Sequence, residues 1–242
     1  MCTVSWLHLD DVYHLLCNRD EKLTRPSALG PEIQRRDGVR FVAPVDRLAG
    51  GSWIGTNEFG MSVCLLNAPQ MTEHLSGQHY HSRGLILQEL LSAASVDEAS
   101  ARLWQFDLSL FAPFTIALLK SGRHSTVIDW DGREKAVIPF ADPCMPLVSS
   151  SIDPQGVKLR RRDQFHRHVR AAGKLDAAVL FTFHLSHGVA ADAYSPCMHR
   201  SDAETVSFSW VKVTETQVEF FYAPGPPCRW APGETRTLPR VL

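Results

Sequence analysis

Cys2 follows Met1 directly, so loss of the first methionine would leave a thiol and a free α-amine on one residue. A nucleophile beside a base is the smallest kit that opens an amide by covalent catalysis. An α-amine with an ordinary pKa of about 8 takes up a thiol proton near neutral pH. The runs Thr3 to Leu9 and Val12 to Cys17 are strand-like, and Asp10-Asp11 between them suits a two-residue hairpin turn. In that register Leu9 faces Val12, Trp6 faces Leu15 and Cys2 faces Arg19. Opposed residues share a face with Cβ atoms about 5 Å apart. The Arg19 guanidinium is therefore expected beside the thiol, where a cation favours the thiolate.

Such a hairpin needs a scaffold, and the composition allows one. The chain has 242 residues, 44% of them hydrophobic, enough for one sizeable core, and a single domain over residues 1–242 is expected. Its 25 basic and 26 acidic residues leave a formal net charge of -1, which gives no electrostatic reason to bind nucleic acid. Asp10 and Asp11 stand where a signal peptide would be apolar, and the most apolar later stretch, residues 177–183, is far short of the roughly 20 residues of a membrane span. No integral membrane segment and a cytoplasmic location are expected. Six cysteines, widely and irregularly spaced, read as buried thiols rather than a disulfide framework.

Taken in order, residues 24–47 are rich in Pro, Gly and charge and are expected to form a long loop on the site side of the hairpin. Gly50-Gly51 opens a second hairpin with its turn at Asn57 to Gly60; without a following Lys-Ser/Thr or helix it is no phosphate cradle. Apolar spacing from Ile86 to Leu91 predicts a helix, and Ser95 with Glu98 forms a capping box that starts a second one through Phe106. Strands are expected over 115–120, 125–130 and 135–139, with Asp131-Gly132 as a hairpin signal. Residues 158–170 are the one basic cluster and read as a solvated helix face. A further helix over 177–187, strands over 205–214 and 218–222, and a surface tail from Pro224 to Pro232 complete the chain. His79 and His81 lack a third ligand at suitable spacing and read as surface residues, and His184 and His187, three apart on one helix face, read as satisfied structural histidines, so no metal site and no cofactor are assigned.

Met1-Cys2-Thr3, the tetrad Asn18-Arg19-Asp20-Glu21 and Arg25-Pro26 resemble the NRDE family, of transport and Golgi organisation type. Its N-terminal pattern is similar to that of the cholylglycine hydrolase and penicillin V acylase group of N-terminal-nucleophile enzymes. Asn57-Glu58-Phe59-Gly60 followed by Leu66-Asn67 also resembles that group, and Arg83-Gly84 resembles the opening of a family helix. The resemblance implies a four-layer α-β-β-α sandwich, where the residues alone imply an α+β fold with mainly antiparallel strands. It further implies that Asn67 donates its amide to an oxyanion hole. The relatives carry a second oxyanion Asn where this chain has Ser150, and an Asp anchoring the N-terminal amine where it has Lys22, so Asp20 or Glu21 is expected to take that role.

The reading that follows is a cysteine amidohydrolase acting on a non-peptide C–N bond of a small or acyl substrate. Cys2, Arg19, Asp20 and Asn67 are its expected catalytic residues, and Asn18, Glu21, Ser150 and Arg200 its expected substrate contacts. The rival reading is a non-catalytic carrier of lipid or haem on the same fold.

Overall fold

The structure, a computed structural model, describes residues 2–68, 80–122, 124–138, 145–229 and 232–241. β1 (Cys2–Leu9) and β2 (Val12–Lys22) form the first hairpin, and its register pairs Cys2 with Arg19, Trp6 with Leu15 and Leu9 with Val12, as the spacing predicts. Asp10 takes a positive φ of 28° at the turn, a conformation that Asp tolerates better than most residues. β10 (Leu147–Ser149) pairs with the outer side of β1, and β11 (Ala203–Val213), β12 (Gln217–Pro224) and β13 (Glu234–Pro239) extend the sheet beyond β2. The second sheet contains, in spatial and sequence order, β3 (Leu29–Arg36), β4 (Val39–Val45), β5 (Ile54–Asn57), β6 (Ser62–Asn67), β7 (Phe114–Leu119), β8 (Ser125–Trp130) and β9 (Lys135–Ile138). All strand pairings in both sheets are antiparallel.

Two expectations fail here for one reason. Residues 24–47 are not a loop: β3 and β4 occupy most of them, joined at Asp37-Gly38 with φ of 50° and 83°. Two consecutive positive φ values make this the hairpin turn that Asp-Gly favours, and the surrounding charges had masked that signal. The stretch from Pro224 is likewise no surface tail. It closes β12, passes through a one-turn 3-10 helix at Pro227–Arg229 with Pro227 buried, and leads into β13. At a sheet edge, polar strands such as Glu234–Pro239 need little apolar periodicity.

Helices cover both sheets. α1 (Arg83–Leu90) and α2 (Val96–Gln105) lie on the second sheet, where Ile86, Leu87, Leu90 and Leu103 pack with Phe41, Val63, Ile116 and Leu118. One half of the capping box forms, Ser95 Oγ accepting from Glu98 N at 3.1 Å, while Glu98 Oε2 reaches one residue past the cap to accept from Ala94 N at 2.8 Å. α3 (Pro154–Ala172) and α4 (Ala177–Leu185) cover the first sheet, capped by Asp153 and Asp176 and pinned together by the edge-to-face pair Phe165 and Phe183 at 5.4 Å. Between the sheets lies the main core, with Val4, Trp6, Leu15 and Cys17 facing Val42, Ile54, Cys64 and Leu66. Full burial of each large side chain contributes roughly 1.5–3 kcal/mol, so this double sheet is a rigid support for whatever its open end carries. The architecture is a four-layer α-β-β-α sandwich.

A close backbone approach accounts for the second glycine of the Gly50-Gly51 pair. A Cβ on Gly51 would stand 2.5 Å from the backbone carbon of Gly84, and one on Gly84 2.7 Å from Ser52 N. Only glycine at both positions lets the start of α1 cross the entry to β5.

Candidate functional site

The open end holds a cavity of about 470 Å³. Cys2 lines it at the start of β1, with Arg19, Asp20 and Glu21 from β2, Asn67 from the end of β6, Trp53, and Arg83 from the first turn of α1. Both sheets and one helix layer thus converge on the thiol, and strand alternation decides which β2 side chains face inward.

Cys2 is 5% exposed, and its backbone nitrogen donates to Ser149 Oγ at 3.0 Å. The β10 pairing, Cys2 opposite Ser149, sets that contact. A hydroxyl not foreseen from the sequence thus accepts from this nitrogen. A hydrogen bond with the Cys17 thiol, and then burial, push the Cys2 thiol well above its ordinary pKa. The Arg19 guanidinium, opposite Cys2 in the ladder, is engaged by carboxylates. Its Nη2 lies 2.7 Å from Asp46 Oδ2 and 3.4 Å from Glu21 Oε2, and its guanidinium stacks 4.3 Å over Trp53.

Asp46 is the hub on that side. Arg25 grips it with two contacts, 2.8 Å to Oδ2 and 3.0 Å to Oδ1, while Oδ1 also accepts from Leu48 N and Ala49 N. Burial raises the Asp46 carboxyl, but the Arg25 and Ala49 hydrogen bonds and the charges of Arg25 and Arg19 outweigh it, so its pKa falls below the usual range. Arg83 differs from its neighbours. Burial lowers it to about 10 against the opposing pull of Glu21, its Nη1 donates to Pro113 O at 2.8 Å, and it has no ion-pair partner among the described residues.

The other half of the tetrad faces the helices. Asn18 donates to the carbonyls of His184 and Pro196 at 2.9 and 2.8 Å. Asp20 reaches the cavity wall, yet its carboxylate is held 3.2 Å from Arg161 and accepts from Thr205 Oγ1 at 2.7 Å. Arg161 also bonds Thr3 Oγ1 and is 1% exposed, so the basic run on α3 is not wholly a solvated face. The β11 ladder is interrupted by a bulge between Thr205 and Ser207, opposite Asp20 and Arg19. Bulges of this kind re-aim side chains.

The model of the family Transport and Golgi organisation 2 matches residues 1–205. The chain belongs to this family. No curated protein matches it. Among solved structures it is similar to a mutant of conjugated bile acid hydrolase from Clostridium perfringens, with a TM-score of 0.56, 11% identity and coverage of 99% of this chain and 92% of that one. It is also similar to the Caenorhabditis elegans orthologue of N-acylethanolamine-hydrolyzing acid amidase, with a TM-score of 0.58, 14% identity and coverage of 86% and 91%. At these identities the likeness is one of fold, and that fold is the N-terminal-nucleophile hydrolase type.

Within this family member, the remaining expected residues divide. Asn67 stands on the cavity wall. Ser150 does not: its hydroxyl donates to Ile152 O at 2.7 Å and accepts from Ile152 N, a local turn that leaves the neighbouring Ser149 facing Cys2. Arg200, half-buried, pairs with Asp202 at 2.6 Å and is absent from the cavity walls. His79 lies outside the described residues, and His81 lines the cavity rim. His184 is buried and bonds Ser5 Oγ at 2.8 Å, and burial followed by the Arg161 charge lowers it to about 3. Asp46, Trp53 and Ser149 were not foreseen. Only their three-dimensional neighbours mark them, and no local motif could have. No helix is long and apolar enough to cross a membrane among the described residues.

Proposed function

We propose that the chain is a cysteine amidohydrolase that cleaves a linear, non-peptide amide of a small substrate, with Cys2 exposed as the N-terminal residue by removal of Met1. The observation that carries this reading is Cys2 itself: a thiol at a cavity wall, its own nitrogen held by Ser149 at 3.0 Å, with Asn67 lining the same cavity. The hydrolysis named for its fold neighbours, of conjugated bile acids and N-acylethanolamines, supports an acyl amide as the substrate class. The Cys17 hydrogen bond and then burial favour the neutral thiol at rest, so the α-amine takes the proton as Sγ attacks the carbonyl carbon. The oxyanion that forms takes a hydrogen bond from the Asn67 amide. The amine then returns the proton to the leaving nitrogen as the C–N bond breaks. Water cleaves the thioester, releasing the carboxylic acid and restoring the thiol. Arg83, without a carboxylate partner among the described residues, suits an acidic group on the substrate.

The ionisable lining of Arg19, Glu21, Arg25, Asp46 and Arg83 supports a polar ligand over a long acyl chain or haem. The test is a panel of acidic and neutral acyl amides, read with intact-mass spectrometry of the same preparation. The expected result is a mass starting at Cys2 and turnover that Cys2→Ala abolishes and Asn67→Ala lowers about a hundredfold. Retention of Met1 in active protein, or turnover that survives Cys2→Ala, sinks the reading.

A further inference from the structure

A second cluster of reactive side chains lies on the helix side of the first sheet, away from the cavity. His187 follows α4, Cys197 and His199 precede β11, and Cys228 sits in the one-turn helix after β12. One ligand atom from each residue lies within 4.8 Å of all the others. His199 Nε2 is 3.7 Å from Cys197 Sγ and 3.3 Å from Cys228 Sγ. Tetrahedral zinc, with bonds of about 2.3 Å to sulfur and 2.0–2.1 Å to nitrogen, separates its ligand atoms by roughly 3.3–3.8 Å. The four residues need only a small contraction to match that shell.

We propose that His187, Cys197, His199 and Cys228 form a structural zinc site. Two thiols and two imidazoles are the donor set that selects zinc, whereas calcium and magnesium call for oxygen ligands. Binding displaces one proton from each thiol, so the ion with two thiolates and two neutral imidazoles carries no net charge. Two further observations point the same way. Nε2 of His187 is buried and has no hydrogen-bond partner among the described residues, a cost that a ligand would remove. Nδ1 of His199, the nitrogen turned away from the thiols, lies 3.7 Å from Glu204, the carboxylate-behind-histidine arrangement that orients metal ligands.

Four protein ligands close the coordination shell, so the ion fastens chain rather than activates water. What it fastens is the support of the tetrad. Pro196, beside Cys197, gives its carbonyl to Asn18, and Met198, between two ligands, donates to Thr205 Oγ1 at 2.8 Å, which in turn holds Asp20. The ion thus ties α4, the approach to β11 and the end of β12 together behind β2.

The test uses the full chain expressed with zinc present and purified under reducing conditions. Elemental analysis is expected to find one zinc per chain, and Co²⁺ substituted for it should give thiolate-to-cobalt charge-transfer absorption. His187→Ala and Cys228→Ala should each lose the stoichiometric metal and that absorption. Because a variant may fail to fold, the wild-type protein is also stripped with a chelator, which should lower its Tm, and Zn²⁺ alone should restore it. Absence of zinc and of cobalt charge transfer in the reduced wild-type protein overturns the proposal. So does stoichiometric metal retained in folded Cys228→Ala. Peptide mapping that finds Cys197 disulfide-bonded to Cys228 in place of a metal overturns it as well.

Discussion

The two faces of β2 carry the same four-residue motif to different ends. Arg19 and Glu21 point between the sheets, where Arg19 meets Asp46 and Trp53 at a solvent-reachable cavity. Asn18 and Asp20 point toward the helices, where Asn18 joins two main-chain carbonyls and Asp20 sits with Arg161 out of water. A period of two residues is enough to turn half of one motif into site and the other half into frame. The tetrad thus divides its contacts between the cavity and the helix layer, and the difference should appear in measurements that separate stability from reactivity.

The largest effect is expected on the helix side. Asp20 and Arg161 have side chains 0% and 1% exposed, and removing one partner of so buried a pair strips the other of its counter-charge. Arg161→Met should therefore cost about 3–5 kcal/mol in urea denaturation, while Asp20→Asn combined with it should recover part of the loss. A loss below about 1 kcal/mol in the single variant, the range of exposed pairs, would break the division between the faces.

A pH effect comes next. His184 lies in the same layer, with its pKa lowered to about 3 by burial and then by Arg161. The folded chain keeps it neutral, whereas the unfolded chain protonates it below about 6.5. The unfolded state then binds more protons between these values, so stability falls as pH drops through 6.5, and the loss is complete near 3. Between pH 7 and pH 5 this one residue should lower stability by about 2 kcal/mol. His184→Gln should flatten that slope, measured as the change in denaturant midpoint; an unchanged slope would place the acid sensitivity elsewhere.

How much of this was legible follows from the range of the interactions. The first hairpin, its register and the Ser95 cap rest on local rules, and Cys2 opposite Arg19 could be read from a turn of two aspartates. β3 and β4 do not show in the sequence because charged residues such as Arg35 and Arg36 hide their alternation. The consequence of the register was also misjudged. Proximity of Arg19 to the thiol was legible, but its commitment to Asp46, twenty-seven residues away, was not. Ser149, separated from Cys2 by 147 residues, and the four-residue thiol and imidazole cluster are long-range meetings of the same kind.

The smallest expected effect is the one that sharpens the comparison most. Arg19→Ala removes a contact to Asp46 that Arg25 continues to satisfy, and a cation–π contact with Trp53 worth about 0.5–1 kcal/mol at a partly open site. Its stability cost should therefore be about 1–2 kcal/mol, well below that of Arg161→Met. Because the Cys2 thiol is raised first by Cys17 and then by burial, loss of Arg19 should also leave the pH dependence of Cys2 alkylation in place. What should change is the alkylation rate at every pH, since Trp53 and the loop held by Asp46 form the walls beside the thiol. The measurement is the alkylation rate of Cys2 from pH 6 to pH 10, followed by peptide mass spectrometry in wild type and variant. A shift of the whole profile to higher pH in Arg19→Ala would mean that the guanidinium acidifies the thiol directly, and the cavity face of β2 would then act through charge rather than through the shape it holds.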